Sequence, residues 1–258
     1  MRADVVIGTK DKLATLRAVL APTGRAQRRV PLGPSRVDGV LAGGLRRGAL
    51  HEVFAPASHE VAATGFVVGL AARLGGPVLW VTQDYSLLEH GTQAATGLLE
   101  LGLDPARLIL LRVPDVASAL RAAMDGLSCT ALGVVVIELS GESKILDLVA
   151  YRKLVLGAGE SGVTVLLLRF SARPSIGVAE TRWQIQATSS ETEEHWGQPV
   201  FAVELQRNRA GPGGCWILEW SCDDGLFRGA SRSADSGAVV SASGDRSPAA
   251  ALEEVSAA

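Results

Sequence analysis

The chain has 258 residues, a formal net charge of −2, 47% hydrophobic residues and 20% charged residues. That length leaves room for one large core with extensions. The balance can bury enough apolar area to offset the ordering entropy of the chain, which excludes a disordered protein. No apolar run reaches the roughly 18 residues a membrane helix requires, and the start is too short in apolar residues for a signal peptide. The cysteines, Cys129, Cys215 and Cys222, form neither a C-x-x-C pair nor an even framework, so a cytoplasmic chain with no membrane partner is expected.

Charge is uneven along the chain. Residues 1–50 hold ten Lys and Arg against three Asp and Glu, a local +7, whereas residues 51–150 hold five against eleven, a local −6. A basic leading segment can meet nucleic acid or an acidic surface, and it can equally be a solvated face.

In chain order, Leu13, Leu16 and Leu20 recur at helical spacing and predict a short amphipathic helix over 10–20 that would need a partner surface. A basic linker with Arg25, Arg28 and Arg29 follows, so residues 1–30 read as a leader and 31–228 as the core domain. Gly-rich punctuation from Leu32 to Gly48 predicts turns ahead of the first core strand. Strands are then expected at 50–54, 78–82, 108–111, 134–138 and 163–168, with helices across 61–74, 86–101, 116–127 and 145–156. These strands are apolar throughout rather than alternating, the pattern of a mostly parallel, doubly wound α/β sheet covered on both faces. Past Pro174, β segments at 181–186, 200–205 and 215–220, with Gly211-Pro-Gly-Gly214 between the last two, predict a hairpin added at the sheet edge. Residues 229–258 are Ser, Ala and Gly with little to pack, and are expected not to fold.

The stretch from Ala49 to Ala62 has the layout of a strand running into a phosphate loop and helix. A working G-x-x-x-x-G-K-[ST] loop needs glycines for close amides, a lysine for the terminal phosphates and a hydroxyl for Mg²⁺. Here the corresponding places hold Ala55, Glu60, Val61 and Ala62. Glu60 adds negative charge where a triphosphate would sit, so the expectation is a degenerate loop with no nucleotide cofactor.

Other candidates are weaker. Glu138 ends the apolar run Val134-Val-Val-Ile137, as an acid beside a metal would, or as a residue marking the strand's exit to solvent. Asp84 could polarise a water, or belong to a turn or helix cap. Arg207 and Arg209 follow the strand 200–205 and suit a phosphate or carboxylate, or are solvated strand-end arginines. The pairs His51-Glu52 and His59-Glu60 fail the H-E-x-x-H pattern, because Ala55 and Ala63 stand where the second histidine would be, so no metal site is expected.

Several segments together resemble the ImuA family: Leu32-Gly-Pro-Ser-Arg-Val-Asp38, Gly43-Gly-Leu-Arg-Arg-Gly-Ala-Leu-His-Glu52, the strand ending at Glu138, Glu180-Thr-Arg-Trp183, Glu204-Leu-Gln-Arg-Asn-Arg209 with Gly211, and Trp216-Ile-Leu-Glu-Trp220. The similarity spans roughly residues 10–228. It implies a RecA-like P-loop core without catalysis, acting in damage-induced (SOS) translesion synthesis and mutagenesis. The implied partners are an ImuB-like inactive Y-family polymerase homologue and a damage-inducible replicative-type polymerase subunit, with RecA and DNA as further candidates and a nucleoid-associated cytoplasmic location. Members of the family are often labelled SulA-type cell-division inhibitors. Against RecA itself, Asp84 falls near the catalytic glutamate. Arg207-Asn208-Arg209 resembles the Lys-Asn-Lys that RecA directs at the neighbouring protomer's nucleotide, and the leading helix corresponds to one that packs on a neighbouring subunit. Residual ATPase activity and single-stranded DNA binding are the alternatives to a scaffold.

Overall fold

The computed structural model describes residues 28–84, 94–174, 177–189 and 198–230. The predicted leading helix with Leu13, Leu16 and Leu20 lies outside them, as do residues 231–258.

A nine-stranded mixed sheet runs through the molecule. Six strands are parallel neighbours in the order β5-β4-β6-β7-β3-β8, namely Leu108–Val113, Val78–Gln83, Val134–Ser140, Thr164–Phe170, Leu50–Ala55 and Thr181–Ala187. Beyond β8 the order continues antiparallel through β9 (Val200–Asn208), β10 (Gly214–Ser221) and β11 (Leu226–Gly229). Strand β8 thus extends the parallel core and also pairs antiparallel with β9, the first strand of the predicted hairpin β9–β10, and β11 is an additional strand beyond it.

Two cores form, one on each face, because both faces of the central strands are apolar. Val53, Trp80, Val136 and Leu168 point to helix α2 (Glu60–Leu74), whereas Leu50, Val81, Ile137 and Leu167 point to helices α4 (Val116–Leu127) and α5 (Leu148–Ser161). Helix α3 (Ala95–Glu100) is the described part of the helix expected over 86–101. Helix α4 starts where the Asp115 carboxylate accepts from the Ser118 amide. Likewise Asp147 accepts from the Ala150 amide, so α5 begins at Leu148, after the predicted start near Ile145.

On the α2 face an aromatic cluster joins the antiparallel strands to the core. Phe66 lies 5.9 Å from Trp183, 5.8 Å from Phe201 and 5.1 Å from Phe227 between ring centroids. Gly69 makes this approach feasible: a Cβ there would come within 3.0 Å of both Phe227 and Trp220. Among the described residues no helix covers the opposite face of β8–β10, and a hollow of 310 Å³ there is lined by Gln184, Gln186, Glu204, Cys215, Trp216 and Ile217, among others.

Residues 29–46 are more than the expected turns. They form a flap in which β1 (Arg29–Val30) pairs with β2 (Leu45–Arg46) around helix α1 (Ser35–Val40). The Asp38 carboxylate accepts from the Leu32 and Gly33 amides at 2.7 and 3.1 Å, which explains a local aspartate in a loop-like sequence. Gly44, at φ 120°, has no room for a side chain, since a Cβ would lie 2.2 Å from the Val30 carbonyl oxygen. The expectation of full burial fails at edge strand β5, where Ile109 is 55% exposed and Leu110 and Leu111 are also exposed. Among the described residues no helix is long and apolar enough to cross a membrane.

Candidate functional site at the two ends of the sheet

In an open α/β sheet, ligands collect where strands end and helices begin, at the carboxyl ends. That end holds Ala55, Glu60, Val61, Ala62, Asp84 and Glu138.

Strand β3 ends at Ala55, and Pro56 leads into a single 3-10 turn, Ala57–His59, that feeds directly into α2. The loop therefore has the reach of a phosphate loop, but its elements serve the protein itself. Glu60, the first residue of α2, is 7% exposed, and the Ser171 hydroxyl at the end of β7 donates to its Oε1 at 3.3 Å. Ser171 is held in the left-handed region (φ 49°) with its amide donating to the Ala55 carbonyl. The Ala187 amide donates to His59 Nδ1 at 3.1 Å, which ties the turn to β8. Val61, which the sequence spacing matches to a phosphate-loop lysine, is 86% exposed and carries no charge; Ala62 beside it is half-buried. The positive end of the α2 dipole already has a carboxylate of the same chain beside it.

Glu138 is only 5% exposed, which answers the strand-exit reading: it does not mark an exit to solvent. Its Oε2 accepts from Trp80 Nε1 at 2.8 Å and its Oε1 from Thr82 Oγ1 at 2.9 Å. Both oxygens are thus engaged by β4. Asp84, just past β4, forms an exposed ion pair with Arg112 at 3.5 Å. The two acids lie on neighbouring strands but each is paired away from the other.

Arg207 and Arg209 are not brought to this end. Asn208 pairs with Thr181, the first residue of β8, and Thr181 pairs with His51 near the start of β3. The arginines therefore sit at the amino ends of the parallel strands, about 16 Å away along β3. Arg207 is half-buried and its Nε donates to the Ala179 carbonyl at 3.1 Å; Arg209 is exposed. Asn208 Nδ2 donates to the carbonyls of Val40 and Pro212, fastening the turn to α1.

Around them is a network that the sequence reading missed. His51 of the failed metal motif joins Arg46, Thr181 and Trp183, quoted above only for the family resemblance, in a hydrogen-bonded relay between β3, β8 and the flap. The Arg46 carbonyl 2.8 Å from His51 Nε2 can only accept, which fixes the proton on Nε2. Thr181 Oγ1 then donates to His51 Nδ1 at 2.7 Å and accepts from Trp183 Nε1 at 2.7 Å. Burial without charge compensation pushes the His51 pKa down to about 4, only partly opposed by the bond to Arg46 and the charge of Glu180. Glu180 bridges Arg46 at 3.0 Å and Arg29 at 3.8 Å. On the other face, fully buried Glu52 accepts from Tyr151 Oη at 2.6 Å and from Arg182 at 2.8 and 2.9 Å. Arg182 also lies over the Phe54 ring. The signal available beforehand was the cross-strand recurrence of polar residues in Arg46-x₄-His-Glu52 and Glu180-Thr-Arg-Trp183; only the register joins them.

No family model matches the chain. Among solved structures, the RadB recombinase superposes with a TM-score of 0.55 at 16% identity, over 78% of this chain and all of that one, which supports a RecA-like α/β fold. Protein ImuA from Caulobacter vibrioides, in strains NA1000/CB15N and ATCC 19089, is 32% identical over 208 residues, covering 72% of this chain and 81% of the relative. With identity at that level across most of both sequences, this chain belongs to the ImuA family.

Proposed function

We propose that this chain is a non-catalytic accessory protein of damage-induced translesion synthesis and mutagenesis, a RecA-like frame that works through protein contacts. The carrying observation is the start of α2, where Glu60, Val61 and Ala62 replace the groups that grip phosphate and metal, and where Glu60 is engaged with Ser171. Consistent with this reading, both Glu138 oxygens accept from β4, which leaves the acid poorly placed to organise a metal-bound water. Loss of the loop lysine removes several kcal/mol of charge stabilisation from ground and transition states. An ImuB-like polymerase homologue and a damage-inducible polymerase subunit are the partners this reading implies.

Isothermal titration with ATP and Mg²⁺ tests it. We expect binding weaker than about 1 mM and no turnover. Micromolar affinity would overturn the reading in favour of a residual ATPase. Co-purification of tagged chain from damaged cells should recover the polymerase homologue; recovery of none of the cassette proteins would remove the scaffold role.

A further inference from the structure

Helix α5 turns three faces to three surroundings. Tyr151, Leu154 and Ala158 are buried in the core beneath it, and Gly157 stands against α4, where a Cβ would meet Leu127 at 3.1 Å. The remaining face is apolar and open. Leu148, Val149 and Leu156 fall within an arc of about 100° around the helix, and Ile145 extends the stripe into the turn ahead of it. The four are 41% to 63% exposed. Among the described residues no other helix exposes more than one large apolar side chain, so this is a patch rather than scattered exposure.

The chain carries a matching stripe of its own. Leu13, Leu16 and Leu20 would span about 10 Å as a helix, and Leu148 to Leu156 span about 12 Å. Residues 10–20 are too few for a stable helix in water without a surface to pack on. The described chain begins beside one. The Arg47 amide donates to the Arg28 carbonyl at 2.9 Å. At the next residue, Gly48, a Cβ would lie 3.1 Å from both the Ala158 carbonyl oxygen and the Gly162 Cα, at the carboxyl end of α5. Seven residues, 21–27, separate Leu20 from Arg28 and reach at most about 25 Å. That exceeds the diameter of a helix, about 10–12 Å, so Leu20 can come to Leu156 with the two stripes parallel.

Charge favours this occupant over the others. The last turn of α5 holds no Lys or Arg, Glu160 is exposed there, and the helix dipole adds to its negative charge. Arg25 and Arg28 of the linker arrive where a cation is stabilised. A second copy fits less well, because a two-fold pairing that set Leu148 against Leu156 would bring the two Arg152 side chains face to face. The tail beyond Ala230 leaves from edge strand β11, four strands from β3, and is mostly Ser, Ala and Gly.

We propose that residues 10–20 dock in cis on α5, with Leu13, Leu16 and Leu20 covering Leu148, Val149 and Leu156. This differs from the packing on a neighbouring subunit that the resemblance to RecA implies for the segment, and it does not rest on the accessory reading. Any protein that captures the leading leucines has to compete with the chain's own helix.

Hydrogen exchange of the full-length chain, read by mass spectrometry, tests it. A linker this short holds the segment at a millimolar effective concentration, so a contact of about 0.1 mM affinity slows exchange of the 10–20 amides roughly tenfold below their intrinsic rate. Leu148→Ser/Leu156→Ser should return them to within about twofold of that rate, whereas Leu99→Ser on α3 should leave the protection unchanged. Amides of 10–20 that exchange at the intrinsic rate in the wild type, or protection that survives Leu148→Ser/Leu156→Ser, would overturn the proposal. So would protection that grows with protein concentration alongside a dimer in light scattering, since it places the segment on a second copy. Protection of β3, β6 and β7 in the same data reports whether the double variant is folded; if it is not, Leu156→Ser alone supplies the readout.

Discussion

The two ends of the sheet are built from the same strands and treat charge in opposite ways. At the carboxyl ends, where related folds place a ligand, each polar group is absent or turned to a neighbour: Val61 is apolar, Glu60 meets Ser171, and Glu138 meets Trp80 and Thr82. At the amino ends, polar groups are dense and interlocked, from the His51 relay to the Glu52–Arg182–Tyr151 triad. Around Arg46, His51 and Glu52 on one side and Glu180, Thr181 and Arg182 on the other, these contacts serve as a clamp. They fasten the flap and β8 to β3, which requires residues identified by cross-strand register instead of by chain spacing.

The largest expected break in that contrast is at the clamp. Arg182→Ala strands Glu52 in a fully buried position and should cost about 3–5 kcal/mol in urea unfolding; a loss below about 1 kcal/mol would show that the triad is not what secures β8. Next comes pH. Because the His51 pKa is about 4 folded against 6.5 unfolded, the unfolded chain binds the extra proton between those values, and stability falls as pH drops through that window. Stability should fall by about 2–3 kcal/mol from pH 7.5 to 4.5, and His51→Asn should flatten that part of the profile.

At the carboxyl end the effects shrink. Glu138→Ala removes the acceptor of two buried donors and should cost about 2 kcal/mol in chemical denaturation, whereas an unchanged midpoint would reopen Glu138 as a group kept for chemistry. Restoring the loop as Glu60→Gly/Val61→Lys/Ala62→Thr should raise ATP affinity at least about tenfold by titration, near 1.4 kcal/mol; no gain would mean that the frame, as well as the side chains, is unsuited to phosphate. Asp84→Asn should matter least, within about 0.5 kcal/mol of wild type in thermal unfolding, because its pair with Arg112 is exposed on both sides.

Legibility from sequence followed the same division. The apolar runs that became β3, β4, β6 and β7 could be read directly, since strands covered on both faces carry no alternation to confuse them. The residues at the start of α2, Glu60, Val61 and Ala62, were equally plain, because they follow β3 at a fixed spacing in the chain. Strand β11 and the flap were not read: β11 is four residues long and β1 and β2 two each, too short for periodicity to register. Arg207 and Arg209 were seen as a pair, but their distance from the loop depends on β9 running antiparallel to β8.

By itself, then, the sequence determined the layered α/β core and the residue types that stand at the start of α2, because hydrophobic runs and residue spacing are local properties of the chain. The tertiary structure alone decided that His51 meets Thr181 and that Glu52 meets Arg182 and Tyr151. Those contacts join residues about 100 to 130 positions apart, and only strand order and register bring them within reach of a hydrogen bond.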